Sequence, residues 1–212
     1  MSKWKNFQSI RVPPSLAGIT RPRFSLTSDI LSFRHCSYQY GHFGNDGFVP
    51  AQAAQIFFGT AIHQVLDHCH RHYWGLYDGI SKGTLPQDAD IEEYFVQVEN
   101  ALKSHGIRPA NAAVRDRALV VLKAFNSVEG KTLYPCIHDT EFRLESDRSQ
   151  YVLRGVVDVL VNDGEDPENP EKREIWDYKG AENPGLSHQD MQDYEWQMCV
   201  YAELYKAKSG VY

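Results

Sequence analysis

The sequence predicts an α/β fold with a helical N-terminal half and a mixed sheet packed against a C-terminal helix. Three observations predict it. Apolar residues recur at helical spacing as far as about residue 128, then alternate with period two from Asp139 onward. The Val-rich run Val152-Leu-Arg-Gly-Val-Val-Asp-Val-Leu-Val161 reads as a strand buried on both faces. The length, 212 residues, suffices for one compact domain with its own core.

Residues 1–24 read as a basic flexible leader or linker. They carry Lys3, Lys5, Arg11, Arg21 and Arg23 and no acid, and Pro13, Pro14 and Pro22 interrupt them. The same charges also suit an arm that touches phosphates. Residues 25–212 read as one domain, helical over 25–130, with the sheet and last helix over 131–208. Phe24-Ser-Leu-Thr-Ser28 opens a first helix, capped by Thr27 or Ser28, that runs to about Tyr40. Residues 41–55 are Gly-rich and irregular. A long helix follows over about 57–78, with Ile62, Val65, Leu66, Cys69 and Tyr73 as its core stripe. Gly59 and His63 are four apart and share a face, and the glycine would let another backbone come close to the histidine. After a turn at 79–88 come helices at about 89–104 and 110–128. Their stripes are Ile91, Tyr94, Phe95, Val98 and Leu102, then Leu119, Val120, Leu122, Ala124 and Phe125.

The chain then changes period. Asp139–Glu145 alternates as a strand, Gln150–Val161 is its hairpin partner, and Asp147-Arg-Ser149 is the turn. An acidic loop, 162–172, precedes a third strand, Arg173–Lys179. A loop at 180–188 leads to a last helix at about 189–207, where Gln197 and Tyr201 face the same way.

The chemistry concentrates on two strands. A carboxylate at Asp158, inside an apolar strand, is costly unless it is paired or holds a metal. Asp177 and Lys179 are two apart, so they share a strand face at roughly 6.6 Å along it, with Tyr178 turned away. Two carboxylates and an ammonium on neighbouring strands suit phosphodiester hydrolysis. The carboxylates hold a hard cation that polarises the phosphate and activates water, and the lysine stabilises the charge that develops. Alone, Asp-x-Lys usually marks a surface ion pair; the Gly155-Val-Val-Asp158 strand before it lifts this one. His68 and His72 also share a helix face, but no second ligand pair stands elsewhere to complete a zinc site.

The net charge of −6 and pI of about 5.8 exclude a uniformly basic nucleic-acid coat and leave room for a local basic groove. Lys179, Arg154 and residues 1–23 are its expected suppliers, with the acidic loop 163–174 turned away. No apolar run reaches spanning length, and the first residues show no secretory h-region. Cys36, Cys69, Cys136 and Cys199 are scattered, with no Cys-x-x-Cys pair. The expectation is a soluble, cytoplasmic protein with no membrane partner.

Taken in order, the motifs are Gly59-x-x-x-His63, Glu141, Gly155-x-x-Asp158, Asp177-x-Lys179 and Gln197-x-x-x-Tyr201. This set resembles the PD-(D/E)XK nuclease superfamily, and within it the RecB-like branch. That branch includes the nuclease domains of RecB and AddAB helicase-nucleases, domains appended to superfamily 1 helicases, and CRISPR-associated exonucleases. The resemblance covers residues 25–206 or so. It implies a restriction-endonuclease-like core. It implies that His63, Asp158, Asp177 and the backbone carbonyl of Tyr178 ligate Mg²⁺ or Mn²⁺, and that Lys179 positions or activates the attacking water. Gln197 and Tyr201 would brace the site or contact DNA, and Glu141 stands where relatives carry an acid on the first core strand. The implied activity is metal-dependent cleavage of DNA, on single strands or free ends, in repair, recombination or defence, with a helicase in cis or in trans. The alternative is a catalytically inactive DNA-holding module of a helicase complex. A small-molecule metallohydrolase is a third class, disfavoured by loops with no compact pocket signature. Some relatives hold an iron–sulfur cluster with one early cysteine and three late ones. Cys36 matches the early one, Cys199 lies inside the last helix, and the cluster is not supported by these residues. Relatives usually continue past the point corresponding to Ser209-Gly-Val-Tyr212, which fits either a domain of a longer protein or a short protein.

Overall fold

A computed structural model describes residues 21–45, 54–77, 79, 81–166, 168–179 and 188–210. Among these residues four strands form one mixed sheet: β1 (Arg23–Ser25), β2 (Ile137–Asp147), β3 (Val152–Val161) and β4 (Glu174–Trp176). β3 is central. Along one edge it pairs antiparallel with β2. Along the other, Val152–Arg154 pair parallel with β1 and Val159–Val161 pair antiparallel with β4. Gly155–Asp158 therefore lie in a gap between two short edge strands, and that gap positions the site.

β1 falls where the sequence reading placed the end of the leader and the start of a helix. Three residues after a proline are too few to show a period. The helix that follows begins at Leu26, and its cap is Ser25, not Thr27 or Ser28. Ser25 Oγ accepts from the Ser28 amide at 3.3 Å, and Asp29 accepts from the Ser25 amide at 2.6 Å. A π-wound turn, Leu26–Leu31, runs into α1 (Ser32–His35). The helix breaks at Cys36, which is extended, and Cys36 Sγ then caps α2 (Ser37–Tyr40). Residues 1–20 of the expected leader, and 46–53 of the irregular segment, lie outside the described residues.

α3 (Ala54–Tyr73), α4 (Asp88–Ser104), α5 (Ala112–Val128) and α6 (Gly130–Leu133) make the helical half. α3 ends short of the expected 78 because Gly75, at φ +67, closes it with a Schellman motif. The Leu76 amide binds the Arg71 carbonyl at 3.0 Å, and the Gly75 amide binds the His72 carbonyl at 2.8 Å. On α5 the row that turns inward is Ala118, Leu122 and Asn126, while Val120 is 65% exposed. The expected stripe is thus partly wrong: Asn126 enters because its amide nitrogen donates to the Pro86 carbonyl at 3.0 Å. The hairpin turn also differs. Asp147 belongs to β2, and Arg148 and Tyr151 close the turn with reciprocal backbone bonds.

Two cores hold the fold. In one, α3, α4 and α5 enclose Phe57, Leu66, Ile91, Phe95 and Leu122, and β3 contributes Val159 and Val161. In the other, α7 (His188–Ser209) presses Tyr201, Leu204 and Tyr205 onto Leu26, Leu144, Val157 and Leu160. β3 is thus covered on both faces only in its later part; Val156 is 40% exposed, against the expectation of full burial. Its alternation also slips. Gly155 and Val157 face α7, as does Leu160, whereas Val159 and Val161 join the helical core. The slip falls at Asp158, opposite Glu141, whose φ of +49 breaks the pleat of β2. Among the described residues no helix is long and apolar enough to cross a membrane.

Candidate active site

α3, β2, β3, the segment that follows β4 and α7 bring the site together. α3 supplies a row of residues four apart, Gly59, His63 and Asp67, on one face. This row, with Thr60, Gln64 and Glu141, lines a cavity of about 570 Å³. A Cβ on Gly59 would meet no atom within 4 Å, so among the described residues this glycine widens the cavity; the expected close approach of another backbone is not found. The kink at Glu141 turns that side chain out of the hairpin toward the cavity. This is a strained conformation of the kind that clusters at functional sites.

Behind His63 stands Asp158. His63 Nδ1 lies 3.3 Å from Asp158 Oδ1, and the backbone amide of Tyr178 donates to Asp158 Oδ2 at 2.7 Å. That second bond explains why β4 is shorter than the expected strand. At Tyr178 the amide leaves the ladder for the carboxylate, so the strand ends at Trp176. The chain stays extended enough to keep the alternation read from the sequence. Asp177 and Lys179 point one way and pair with each other. The Tyr178 ring points the other way, packing edge-on to Phe125 with its hydroxyl 3.4 Å from His70 Nε2.

α7 braces the far side. Gln197 and Tyr201, both nearly fully buried, do share a face and touch. The Gln197 amide nitrogen donates to Asp177 Oδ1 at 3.0 Å and to the Tyr201 hydroxyl at 3.2 Å, and its oxygen accepts from Lys179 Nζ at 3.4 Å. Donor to carboxylate and acceptor to ammonium fix the orientation of that amide. The Lys179 ammonium also sits 4.7 Å from the centre of the Tyr194 ring.

Electrostatically the site is a cluster of like charges. Burial raises the pKa of Asp177, and the Asp158 charge adds to it, more than Lys179 lowers it. Burial and the nearby Asp158 and Asp67 raise Glu141 likewise. Burial works to lower His63, but the Asp158 carboxylate outweighs it and holds the ring above its ordinary value. Burial pushes the Tyr201 hydroxyl up to about 12. Asp67 and Glu141 thus line one cavity, and the charge of Asp158, behind His63, reaches both Glu141 and Asp177. Among the described residues no three His, Cys, Asp or Glu side chains gather closely enough to hold a metal ion. Asp158 is taken by His63 and the Tyr178 amide, and Asp177 by Lys179 and Gln197. The chemistry of the side chains, carboxylate oxygens and an imidazole, suits a hard divalent cation, whose charge would relieve the repulsion among the carboxylates.

Two contributors escaped the sequence reading. Asp67 continues the four-residue spacing of Gly59 and His63, a signal that was present in the sequence. Tyr194, three residues before Gln197, had no such signal. His68 and His72, the other histidine pair, are occupied by tyrosines: His68 by the Tyr77 hydroxyl and His72 by that of Tyr94 at 2.8 Å.

No curated protein and no solved structure gives a significant match to the chain. The family model of the PD-(D/E)XK nuclease superfamily matches residues 24–212, which include β2, β3, β4, the Asp-x-Lys pair and the bracing helix. Nucleases of this superfamily generally use divalent metals such as Mg²⁺. The mixed α/β architecture is that of a restriction-endonuclease-like core, and with a match over nearly its whole length the chain belongs to the PD-(D/E)XK nuclease superfamily.

Proposed function

We propose that this protein is a metal-dependent deoxyribonuclease of the RecB-like branch, cutting phosphodiester bonds of single strands or free ends, in company with a helicase. The observation that carries the reading is the clamp on Asp177: one buried amide, Gln197, holds the carboxylate, the Tyr201 hydroxyl and the Lys179 ammonium together in one network. A structural ion pair needs no such support. A catalytic carboxylate and lysine do, because small displacements at a reacting centre are costly.

His63, Asp158, Asp177 and the Tyr178 carbonyl would hold Mg²⁺ or Mn²⁺. When bound, such an ion polarises the phosphate and lowers the pKa of water. The protein's own groups divide the remaining work. Lys179, half-exposed over Tyr194, meets the phosphate charge and orients the attacking water. Gln197 and Tyr201 keep Asp177 aimed. The Tyr178 amide keeps Asp158 aimed, and it does so from a backbone position that of all substitutions only proline removes. Glu141 and Asp67 add negative charge that repels DNA phosphate until a cation arrives, which couples DNA binding to metal.

The reading in which the fold only holds DNA is separated by calorimetry. Titration of Mn²⁺ into the protein should show saturable binding that Asp158→Asn weakens at least tenfold. Equal binding by the wild type and this variant would place the metal elsewhere and favour the holding module.

A further inference from the structure

A second cavity, about 460 Å³, lies against the first. They share a wall. Asp67, which lines the first cavity, receives the Thr140 hydroxyl at 2.6 Å and the Arg71 guanidinium at 2.8 Å, and Thr140 and Arg71 line the second. The size is within the roughly 300–1,000 Å³ of small-ligand sites.

Its lining combines three chemistries with one carboxylate, Asp139. Trp74, 37% exposed, offers an aromatic face. Arg71 and Lys82 supply positive charge. His70, His138 and Asn162 supply polar edges. His70 is 2% exposed, and among the described residues its Nδ1 is buried with no hydrogen-bond partner. A buried unpartnered ring nitrogen is costly unless something in the cavity meets it.

The cavity is also built by a specific backbone device. Gly75, at φ +67, reverses the chain after α3, and a Cβ there would meet Lys82 Cβ at 3.0 Å and Lys82 N at 3.2 Å. The Gly83 amide closes the reversal on the Tyr73 carbonyl at 2.7 Å. The turn so formed folds Lys82 back beside Trp74, at the end of the helix that carries His63.

We propose that this second cavity is a nucleotide-binding subsite, which holds one nucleotide of the strand across the Asp67–Thr140 wall from the bond to be cut. Trp74 stacks on the base, Arg71 and Lys82 take the phosphate, and His70 Nδ1 and Asn162 meet the base edge. Its place in a cleavage reaction rests on the nuclease reading, but its affinity for a nucleotide does not.

The probe is thymidine 5′-monophosphate, titrated by calorimetry into the full chain without divalent ion. The wild type and Asp177→Asn should bind it alike. Trp74→Ala should weaken binding about tenfold, toward the low end of the range for losing one base–aromatic stack, and Lys82→Ala should weaken it too. With an oligonucleotide and Mn²⁺, Trp74→Ala should raise KM about tenfold with a smaller change in kcat, as loss of substrate binding requires. Circular dichroism checks each variant, and if Trp74→Ala does not fold, Lys82→Ala decides. Binding unchanged in the folded variants, binding absent from the wild type, or binding lost only in Asp177→Asn, would overturn the proposal. If the wild type cuts no DNA, the nuclease reading falls while the mononucleotide titration still decides the cavity.

Discussion

Gly155→Ala tests how the sheet sets the position of the bracing helix. A methyl group at Gly155 would sit 2.6 Å from Tyr201 Cε1 and 3.1 Å from Cδ1, with Leu204 Cδ1 at 3.5 Å. Tyr201 is 2% exposed, so its ring has no solvent to swing into. To reach an ordinary contact of about 3.4 Å, the ring must retreat by about 0.8 Å, and α7 with it. Overpacking of this kind costs roughly 1–3 kcal/mol. For a domain of this size each kcal/mol lowers Tm by about 2–4 °C. The same retreat drags Gln197 off Asp177 Oδ1, now at 3.0 Å. A displacement near 1 Å at a positioning group can cost about a hundredfold in rate. Differential scanning calorimetry and a nuclease assay on Gly155→Ala measure both losses. Repeating the stability measurement on a Tyr201→Ala background isolates the contact, since the methyl then has room and its cost should nearly vanish. A Gly155→Ala protein with wild-type Tm and rate would refute the reasoning, as would a cost that persists without the Tyr201 ring.

Two further predictions follow from charges. Burial raises the Glu99 pKa, but the hydrogen-bonded Lys103 and Arg115 outweigh it and hold Glu99 below its ordinary value. The unfolded chain therefore binds a proton there before the folded one does. The stability this contributes is present above about pH 4.5, the unfolded value, and is lost as pH falls through the folded one. Thermal melts of wild type and Glu99→Gln should differ at pH 7 and converge below about pH 4.5; a constant difference would remove Glu99 from the account. Arg21 and Arg23 pair with Asp147 and Glu145 on β2, which blunts the expected basic arm. Binding of a short single-stranded oligonucleotide in Ca²⁺ should still weaken steeply as salt rises, through Lys179, Arg154 and the bound cation. Replacing Arg21 and Arg23 together by alanine should leave that slope nearly unchanged, since both are already paired, and a fall of more than about one contact's worth would restore them as phosphate contacts.

What was legible in the sequence is what periodicity and spacing carry. The helical stripe of α3, the hairpin, the shared face of Gln197 and Tyr201, and the opposed directions of Tyr178 and its neighbours all follow from periods of 3.6 and 2. What was not legible depends on tertiary contacts. β1 exists because β3 offers its edge, and β4 ends early because an amide prefers a carboxylate across the gap. The +49 φ of Glu141 has no local signal, since nothing in its neighbours calls for a left-handed residue. On α5, Asn126 displaces apolar residues from the inward row because a carbonyl from another segment meets it, and no period predicts that. The clamp around Asp177 combined residues named separately from the sequence; only the fold shows that one amide joins them.

The central claim is that Asp158, Asp177 and Lys179 form one phosphodiester-cleaving centre. The most direct measurement is Mn²⁺-dependent cleavage of a labelled single-stranded oligonucleotide by the wild type and by Asp158→Ala, Asp177→Ala and Lys179→Ala, each checked for folding by circular dichroism. The account predicts cleavage by the wild type, none above background by any of the three, and native spectra throughout. Full activity in a folded Asp158→Ala or Asp177→Ala protein would contradict it.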